Sequence, residues 1–173
     1  MPPSPSPPPS SSPSASTPAT VRDLTPDDAP ALTALYEEYE WWDDRDEAAV
    51  RDALAETAVA VGVEADGRLV AAARVLTDHT YYATVYDVIV AADYRGEGIG
   101  ETLMRAVVNH PDLQSVAGLS LLCRRGLVPY YETVGFELFD PELEIPEGGV
   151  EELVRMTYTH PDDEHGDADE NRD

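Results

Sequence analysis

The sequence predicts an α/β fold with a mixed, largely antiparallel central sheet flanked by helices. Two strand-like apolar runs at 58–64 and 69–76 flank an Asp66-Gly67 pair, which is typical of the tight turn of an antiparallel hairpin. Further along, apolar residues recur four positions apart from Ile99, as expected of the buried face of a helix. A hairpin combined with amphipathic helices indicates a sheet with helices packed against it.

The remaining elements follow from similar signals. Thr25, followed by Pro26 and two acidic residues, is typical of a helix start, because a hydroxyl caps free amides and proline suits the first turn. Leu32, Leu35 and Tyr39 are expected to form the inward face of that helix. In chain order we expect a strand at 20–24, this helix, a helix at 46–56, the hairpin, a strand at 82–90, a helix from 99 to about 110, a strand at 118–123, a short helix at 127–134, a strand from 136 and a last strand at 154–158.

The chain is expected to hold one folded domain, at 20–159, between two disordered tails. Residues 1–19 are nearly all proline and serine, and residues 160–173 are mostly acidic and polar. Neither tail has enough apolar surface to offset the entropy lost on folding. The start of the chain lacks the basic and apolar regions of a signal peptide, and no run reaches the roughly 18 apolar residues of a membrane span. These features predict a soluble, cytoplasmic protein without a membrane partner.

The chain is strongly acidic. Its 173 residues include 35 acidic and 11 basic side chains, all of the basic ones arginine, and its formal net charge is -24. This composition argues against a nucleic acid partner, because a polyanion is repelled and no basic stripe is present to displace its counterions. Self-repulsion on this scale weakens a compact state in dilute buffer, whereas at ~1 M salt the Debye length falls to ~3 Å. An excess of acidic residues without any lysine predicts a protein from the cytoplasm of a halophile.

The most informative segment is 95–100, which reads Arg-Gly-Glu-Gly-Ile-Gly. It follows the apolar run 88–90 and opens the predicted helix. A glycine loop between a strand and a helix start can turn successive N–H groups into one concavity, where the helix dipole favours phosphate. The dinucleotide-binding pattern needs glycine where Glu101 stands, and a Walker A loop needs the lysine that this chain lacks. The segment therefore predicts a diphosphate ligand of another kind.

The pattern that remains has arginine at position 95 and glycine at 98 and 100. It resembles the pyrophosphate loop of the GNAT superfamily of acyl-CoA-dependent N-acetyltransferases, which has the form Gln/Arg-x-x-Gly-x-Gly/Ala after a strand. Residues 129–136, Pro-Tyr-Tyr-Glu-Thr-Val-Gly-Phe, resemble the second signature of that superfamily, with Tyr130 in place of the common phenylalanine. Two matching segments in the expected order are far more specific than one.

A narrower resemblance lies upstream of the loop. Residues 77–79 and 84–90 are similar to the plant serotonin N-acetyltransferase-type branch of the superfamily. The likeness as a whole covers roughly residues 58–140, and the segment 123–126 lacks an asparagine that many relatives place near the cofactor. Because the resembling strand also binds cofactor in the family, this likeness implies the reaction and not the acceptor.

The resemblance implies acetyl-CoA as the acetyl donor. It implies that backbone N–H groups of the strand hold the pantetheine arm and the carbonyl, and that the glycine loop binds the pyrophosphate, with its two glutamate side chains facing solvent. The cofactor-binding residues expected on this basis are Val88, Ile89, Val90, Arg95, Gly96, Glu97, Gly98, Ile99, Gly100 and Glu101. Arg124 and Arg125 are either phosphate contacts or solvated charges.

Two residues are candidates for catalysis. Tyr131 occupies the position of the family's general acid, and a phenol pKa near ~10 lies close to that of an alkyl thiol. Asp87 is either a base that deprotonates an ammonium through water or a strand-edge carboxylate bonded to backbone donors, and the sequence does not choose between these roles. Trp41 and Trp42 are expected to pack in the core or a lid rather than to touch the acceptor.

The leading hypothesis is an acetyl-CoA-dependent N-acetyltransferase that acetylates a primary amine of a small molecule or a protein by direct attack. The alternative is a non-catalytic module that binds or senses acyl-CoA, since a fold alone does not fix function. No metal is expected, because the four histidines lack ligand spacing and a single cysteine cannot form a cage. The sequence leaves open whether the protein is a monomer or a homodimer.

Overall fold

The computed structural model describes residues 18–146 and 148–158. The chain divides into two compact units, the first ending at Phe136 and the second beginning at Glu137. The predicted tails fall almost entirely outside the described residues, which exclude 1–17 and 159–173. The first unit contains both the glycine loop and the segment that resembles the second signature.

Every helix and strand predicted for residues 20–134 is present, although the strand predicted at 118–123 is reduced to two residues. In chain order the elements of the first unit are β1 (Thr20–Asp23), α1 (Ala29–Tyr36), α2 (Glu47–Ala55), β2 (Val59–Ala65), β3 (Arg68–Thr77), β4 (Ala83–Val90), α3 (Ile99–Val108), β5 (Ser120–Leu121) and α4 (Val128–Glu132). Short 3-10 turns lie at Pro26–Asp28, Glu40–Trp42, Ala92–Tyr94, Pro111–Leu113 and Arg125–Leu127.

The five strands form one sheet in the order β1-β2-β3-β4-β5. The first three pairings are antiparallel and the last, between β4 and β5, is parallel. The β2–β3 turn contains Asp66 and Gly67 at φ angles of 50° and 76°, and two positive φ angles suit the right-handed twist of a tight hairpin. The predicted fold class, a mixed and largely antiparallel sheet flanked by helices, is confirmed.

The core lies between the sheet and its helices. Strands β2 and β3 are buried along most of their length on both faces, so helices cover the sheet from both sides. Helix α3 buries Ile99, Leu103, Met104 and Val107, and each such side chain contributes about 1.5–3 kcal/mol. Helix α1 ends at Tyr36, so Tyr39, predicted on its inward face, lies in the connection to α2. No described helix is long and apolar enough to cross a membrane.

The second unit contains a small antiparallel hairpin. Its strands are β6 (Glu142–Glu144) and β7 (Val150–Glu152), and the turn between them includes Gly148 and Gly149 at φ angles of 87° and 124°. The strands predicted from 136 and at 154–158 are therefore wrong for the part of the chain that the structure describes. The paired glycines determine the turn, and the apolar residues that follow β7 have no strand partner within the described range.

Candidate active site

Strand β4 separates from its neighbour β5 partway along its length. The parallel pairing of β4 with β5 is limited to two residues of each strand, 84–85 and 120–121. Residues 86–90 of β4 continue beyond this pairing. In the described chain, no strand pairs with these residues along the edge on which β5 lies. An open strand edge offers backbone N–H and C=O groups to an extended ligand. Val88, Ile89 and Val90, the residues expected to hold the pantetheine arm, lie on this segment.

The opposite edge of β4 contains a β-bulge. Between Ala72 and Arg74, a single residue of β3, Ala73, stands opposite two residues of β4, Asp87 and Val88. Asp87 adopts a φ of 53°, in the left-handed region that aspartate tolerates better than most residues. The extra residue bends the strand and changes the direction of the side chain, which is a common use of bulges near functional sites.

The glycine loop has the backbone conformation of an anion cradle. Gly96 and Gly98 have φ angles of 77° and 82°, and Gly98 is the N-cap of α3. A Cβ built on either glycine has no neighbouring atom within 4 Å, so open space lies beside the loop at both positions. The first-turn amides of α3 have no intrahelical acceptors. These features fit the pyrophosphate of a nucleotide cofactor.

The side chains around the loop divide into exposed and packed groups. Glu97 is exposed, and Glu101 pairs with Arg105 one turn further along α3 at 2.7 Å. Ile99 is buried in the core and fixes the start of the helix. At Gly100 a Cβ would stand 2.8 Å from the hydroxyl oxygen of Tyr130, so α4 packs closely on the first turn of α3.

Arg95 contacts Tyr39, which lies in the connection between α1 and α2. Its Nη2 donates a hydrogen bond to the hydroxyl of Tyr39, and its guanidinium lies 4.8 Å from the centre of that ring. The Tyr39 hydroxyl in turn donates to the carbonyl oxygen of Val90 at 2.6 Å. Tyr39 therefore links the end of β4 to the first residue of the glycine loop.

Tyr131 is buried in α4, with 7% of its surface exposed. Its ring packs edge-on against Tyr130 at 4.8 Å and against Phe136 at 5.9 Å between ring centres. Burial, with a smaller effect from Cys123, raises the pKa of Tyr131 to about 12. This pKa is higher than the value near 10 expected from the sequence, so the hydroxyl keeps its proton throughout the neutral range.

Asp87 lies between two arginines. Arg45 contacts both of its carboxylate oxygens, at 3.0 and 3.1 Å, and Arg74 contacts one of them through Nη2 at 2.7 Å and Nε at 2.8 Å. The Tyr36 hydroxyl donates to the same carboxylate at 3.3 Å. Burial opposes ionisation of Asp87, but the hydrogen bonds of Arg45 and the charge of Arg74 outweigh it and hold its pKa below the usual range. A carboxylate of lowered pKa is a weak base.

The sequence analysis did not identify Arg45 and Arg74 as members of the site. Arg74 gave a usable signal, since it is the only charged residue in the apolar run 69–76. Arg45 gave none, because it lies among the many charged residues of the connection between α1 and α2. Trp42 packs against Tyr36 in that connection, as expected, whereas 59% of Trp41 is exposed.

Arg124, which the sequence left open between phosphate contact and solvated charge, has a described neighbour in this connection. Its guanidinium lies 5.9 Å from the ring centre of Trp41. Among residues 18–146 and 148–158, no group of three or more His, Cys, Asp or Glu side chains is placed to hold a metal ion.

The first unit thus combines an open strand, a glycine loop at a helix start and a buried tyrosine on the short helix that packs on this start. Residues 22–159 match the sequence model of the acetyltransferase (GNAT) domain, and the chain therefore belongs to the GNAT acetyltransferase family. The family predicted from the glycine loop and the 129–136 segment is confirmed.

Individual relatives match shorter regions. The chain is 35% identical over 75 residues to GCN5-related N-acetyltransferase 2, chloroplastic, of Arabidopsis thaliana, and 33% identical over 75 residues to histone acetyltransferase TAP1 of Glycine max. Each match covers 43% of this chain but only 29% and 32% of the respective relative. The chain thus spans less than a third of the length of these two relatives.

Solved structures extend the comparison to the fold. A protein of the GNAT family from Xanthomonas campestris pv. campestris is 32% identical, with a TM-score of 0.57 over 69% of this chain and 85% of that chain. Glucosamine-6-phosphate N-acetyltransferase from Arabidopsis thaliana is 14% identical, with a TM-score of 0.60 over 75% of this chain and 98% of that chain. The second likeness concerns the fold alone.

Proposed function

We propose that this protein is an acetyl-CoA-dependent N-acetyltransferase that transfers the acetyl group to a primary amine by direct attack. The observation that carries the proposal is the continuous path formed by the open edge of β4 and the glycine loop at the start of α3. An extended pantetheine arm suits the open strand edge, and a pyrophosphate suits the cradle that follows it. Membership of the GNAT family supports the same donor.

In this proposal the donor is held by backbone groups more than by side chains. Amides from Gly96 to Glu101 bind the pyrophosphate, and N–H groups of Val88 to Val90 bind the arm and polarise the acetyl carbonyl. Arg95 adds positive charge at the phosphate end. Acetyl-CoA supplies an acetyl group activated as a thioester.

Tyr131 is proposed to supply the proton for the departing sulfur. As the amine nitrogen bonds to the acetyl carbon, the carbon–sulfur bond breaks and the sulfur takes the proton of the Tyr131 hydroxyl. The amine loses one proton to solvent, and Tyr131 regains one from solvent, so no proton is gained or lost overall. Because its pKa is about 12, Tyr131 carries that proton at every pH at which the protein is expected to work.

For Asp87 we propose a positioning role. Its two arginine partners stabilise the negative charge, which makes proton abstraction by this carboxylate unfavourable. The same contacts connect the bulge of β4 to β3 and to the connection between α1 and α2. Asp87 thereby fixes the direction of Val88, the first residue of the open edge.

Replacing Asp87 with asparagine tests this assignment. Asparagine tolerates the positive φ but removes the charge, so we expect a loss of about 2 kcal/mol in the free energy of unfolding at pH 7 and less than a tenfold loss in kcat. Since folding lowers the pKa of Asp87, its stabilisation exists above the unfolded value of about 3.9 and is lost as pH falls through the folded pKa. The stability difference should therefore disappear in acid. A loss in kcat of about 100-fold or more at unchanged stability would instead identify a base.

The proposed function is tested by thiol release. Acetyl-CoA is incubated with the full chain and a panel of primary amines and peptides with free N-termini, and free CoA is measured with a thiol reagent. Amine-dependent release together with mass-spectrometric detection of the acetylated amine supports the transferase. Tight binding of acetyl-CoA without release by any amine would support the non-catalytic sensing module instead.

The branch of the family, the partners, the cellular location and the oligomeric state are also proposals. We propose that the chain is similar to the plant serotonin N-acetyltransferase-type branch in its cofactor strand, and its 35% identity over 75 residues to a chloroplastic N-acetyltransferase of Arabidopsis thaliana supports a likeness to plant relatives. Nucleic acid and membranes are not expected as partners, given the net charge of -24. A cytoplasmic location and a monomer or homodimer complete the proposal.

The acid excess leads to a proposal about salt. We expect the melting temperature to rise between about 0.1 M and about 3 M KCl, because screening weakens repulsion among surface carboxylates. Circular dichroism melts at increasing KCl concentration measure this directly. A melting temperature that is flat or falls with KCl would rule out adaptation to a halophile's cytoplasm.

A further inference from the structure

A cavity of about 250 Å³ lies between α1, α2 and β3. Most of its lining is apolar and comes from the two helices, while its polar part consists of two guanidinium groups and one phenol. The lining residues are Leu32, Tyr36, Arg45, Ala49, Val50, Ala53 and Arg74. Ala49 is exposed at its rim, so the cavity is open to solvent. Apolar walls with a few fixed polar groups are typical of a small-molecule site.

The polar end of the cavity carries an uncompensated positive charge. Arg45 and Arg74 both pair with Asp87, and two guanidinium groups against one ionised carboxylate leave a net charge of about +1. This charge lies partly buried beside Leu32 and Val50, where water solvates it poorly. In a chain with a net charge of -24, the end of this cavity selects an anion and repels a cation.

The two arginines differ in the donors they have left. Arg74 uses four of its five N–H groups, since besides its two contacts to Asp87 it donates to the Thr57 hydroxyl at 2.8 Å and to the Ala53 carbonyl at 3.3 Å. Arg45 contacts Asp87 through Nη1 and Nη2 and also interacts with Tyr36, so it keeps at least two of the five N–H groups that a guanidinium carries. Its guanidinium is held over the Tyr36 ring at 4.6 Å, so the remaining donors have a fixed direction. Arg45 is therefore the group available to a ligand.

The cavity also adjoins the strand on which the acetyl group is proposed to lie. Tyr36 and both arginines contact Asp87, and Asp87 immediately precedes Val88 on the open edge of β4. An anionic group that reached Arg45 would therefore lie at the end of the cavity nearest to β4. The amine of an α-amino acid is bonded to the same carbon as the carboxylate, so it would lie at this end as well.

We infer that this cavity is the acceptor site and that the acceptor is a small amine which also carries a carboxylate, such as an α-amino acid; this inference rests on the proposed function. The carboxylate binds Arg45, the carbon skeleton packs on Leu32 and Val50, and the amine is directed to the acetyl group at β4. Pockets for drug-sized ligands span roughly 300–1,000 Å³, so a cavity of this size selects a compact molecule over a protein segment.

Matched pairs of amines test the inference. Leucine and leucinamide, and phenylalanine and phenylalaninamide, have the same carbon skeleton and differ in the charge of the carboxyl group. Because the amide also lowers the pKa of the neighbouring amine, each rate is calculated per concentration of neutral amine. We expect kcat/KM for acetyl transfer to be about 10- to 100-fold higher for each acid than for its amide, as expected for a charge-assisted hydrogen bond in a partly buried site.

Variants locate the source of that preference. Arg45→Gln should reduce the ratio of kcat/KM for acid to kcat/KM for amide to about one. Arg45→Lys should retain part of this preference, because lysine keeps the positive charge but lacks the paired N–H donors of a guanidinium. Arg51→Gln is the matched control on α2, since Arg51 pairs with Glu47 at the surface and does not line the cavity. This control should keep the parent ratio. A ratio that stays high in Arg45→Gln would overturn the inference.

A binding measurement separates this inference from the proposed function. Calorimetry with 3-phenylpropanoate and its amide reports on the cavity without any acetyl transfer. If the carboxylate binds the parent and not Arg45→Gln, but no amine is acetylated, the cavity assignment holds and the transferase assignment fails. If amines are acetylated without preference for acids and the carboxylate does not bind, the transferase assignment holds and the acceptor inference fails.

Discussion

Valine at position 98 is expected to abolish measurable acetyl-CoA binding. Gly98 has a φ of 82° and open space where a Cβ would stand, and it lies in the loop that we propose binds the pyrophosphate. A β-branched residue both disfavours this backbone conformation and projects into that space. Losing two charge-assisted hydrogen bonds to phosphate weakens binding by about 10²- to 10⁴-fold. Calorimetry with acetyl-CoA and with free CoA measures the change.

Gly67→Val is the matched control for Gly98→Val. Gly67 has a φ of 76° and equally open surroundings, but it lies in the β2–β3 turn outside the glycine loop. Both substitutions impose a similar backbone strain of about 1–3 kcal/mol, and only one affects the cradle. Unchanged affinity in a folded Gly98→Val protein would remove the pyrophosphate assignment.

Replacing Tyr131 with phenylalanine is expected to lower turnover by about 10²- to 10⁴-fold, the usual range for loss of a general acid. Phenylalanine keeps the packing against Tyr130 and Phe136, so acetyl-CoA affinity should change little. Because the pKa of Tyr131 is about 12, loss of its proton should not limit the parent rate below about pH 11. Thiol release at saturating amine, combined with calorimetry, separates turnover from binding.

Tyr130→Phe provides the comparison for the acid. Burial raises the pKa of Tyr130 to about 12 as well, so the two hydroxyls are alike in acidity and differ in position. We expect Tyr130→Phe to keep turnover within about threefold of the parent. If Tyr130→Phe is the variant that loses turnover and Tyr131→Phe is not, the assigned acid is the wrong one of the two. If neither variant loses turnover, the proton comes from water or from the ammonium.

The parts of the fold that local chemistry determines were predictable from the sequence. The glycines of the loop, the periodicity of α3 and the Asp66-Gly67 turn each act within a few residues, and the structure has the expected elements at all three places. At the end of the described chain, strands were predicted from 136 and at 154–158, whereas the strands lie at Glu142–Glu144 and Val150–Glu152, on either side of Gly148 and Gly149. Turn chemistry outweighed strand propensity at that position.

The arrangement around Asp87 was not predictable, because it depends on pairing between distant segments. The bulge arises from the register of β3 against β4, and the two arginine partners lie 42 and 13 residues away in the chain. Sequence periodicity carries no information about such contacts. Arg74 alone was visible as a charge in an apolar strand.

The contact between Gly100 and Tyr130 has a consequence for how this sequence can evolve. A Cβ at position 100 would lie 2.8 Å from the Tyr130 hydroxyl oxygen but 3.4 Å from the ring carbon that bears it. If residue 130 is phenylalanine, the first of these contacts is absent, so alanine at position 100 becomes sterically acceptable. If residue 130 is tyrosine, alanine at position 100 displaces the Tyr130 ring, which packs against Tyr131. Positions 100 and 130 should therefore vary together among relatives, with glycine accompanying tyrosine and alanine appearing only beside phenylalanine. We therefore expect the two sequence signatures, about thirty residues apart in the chain, to constrain each other at these two positions.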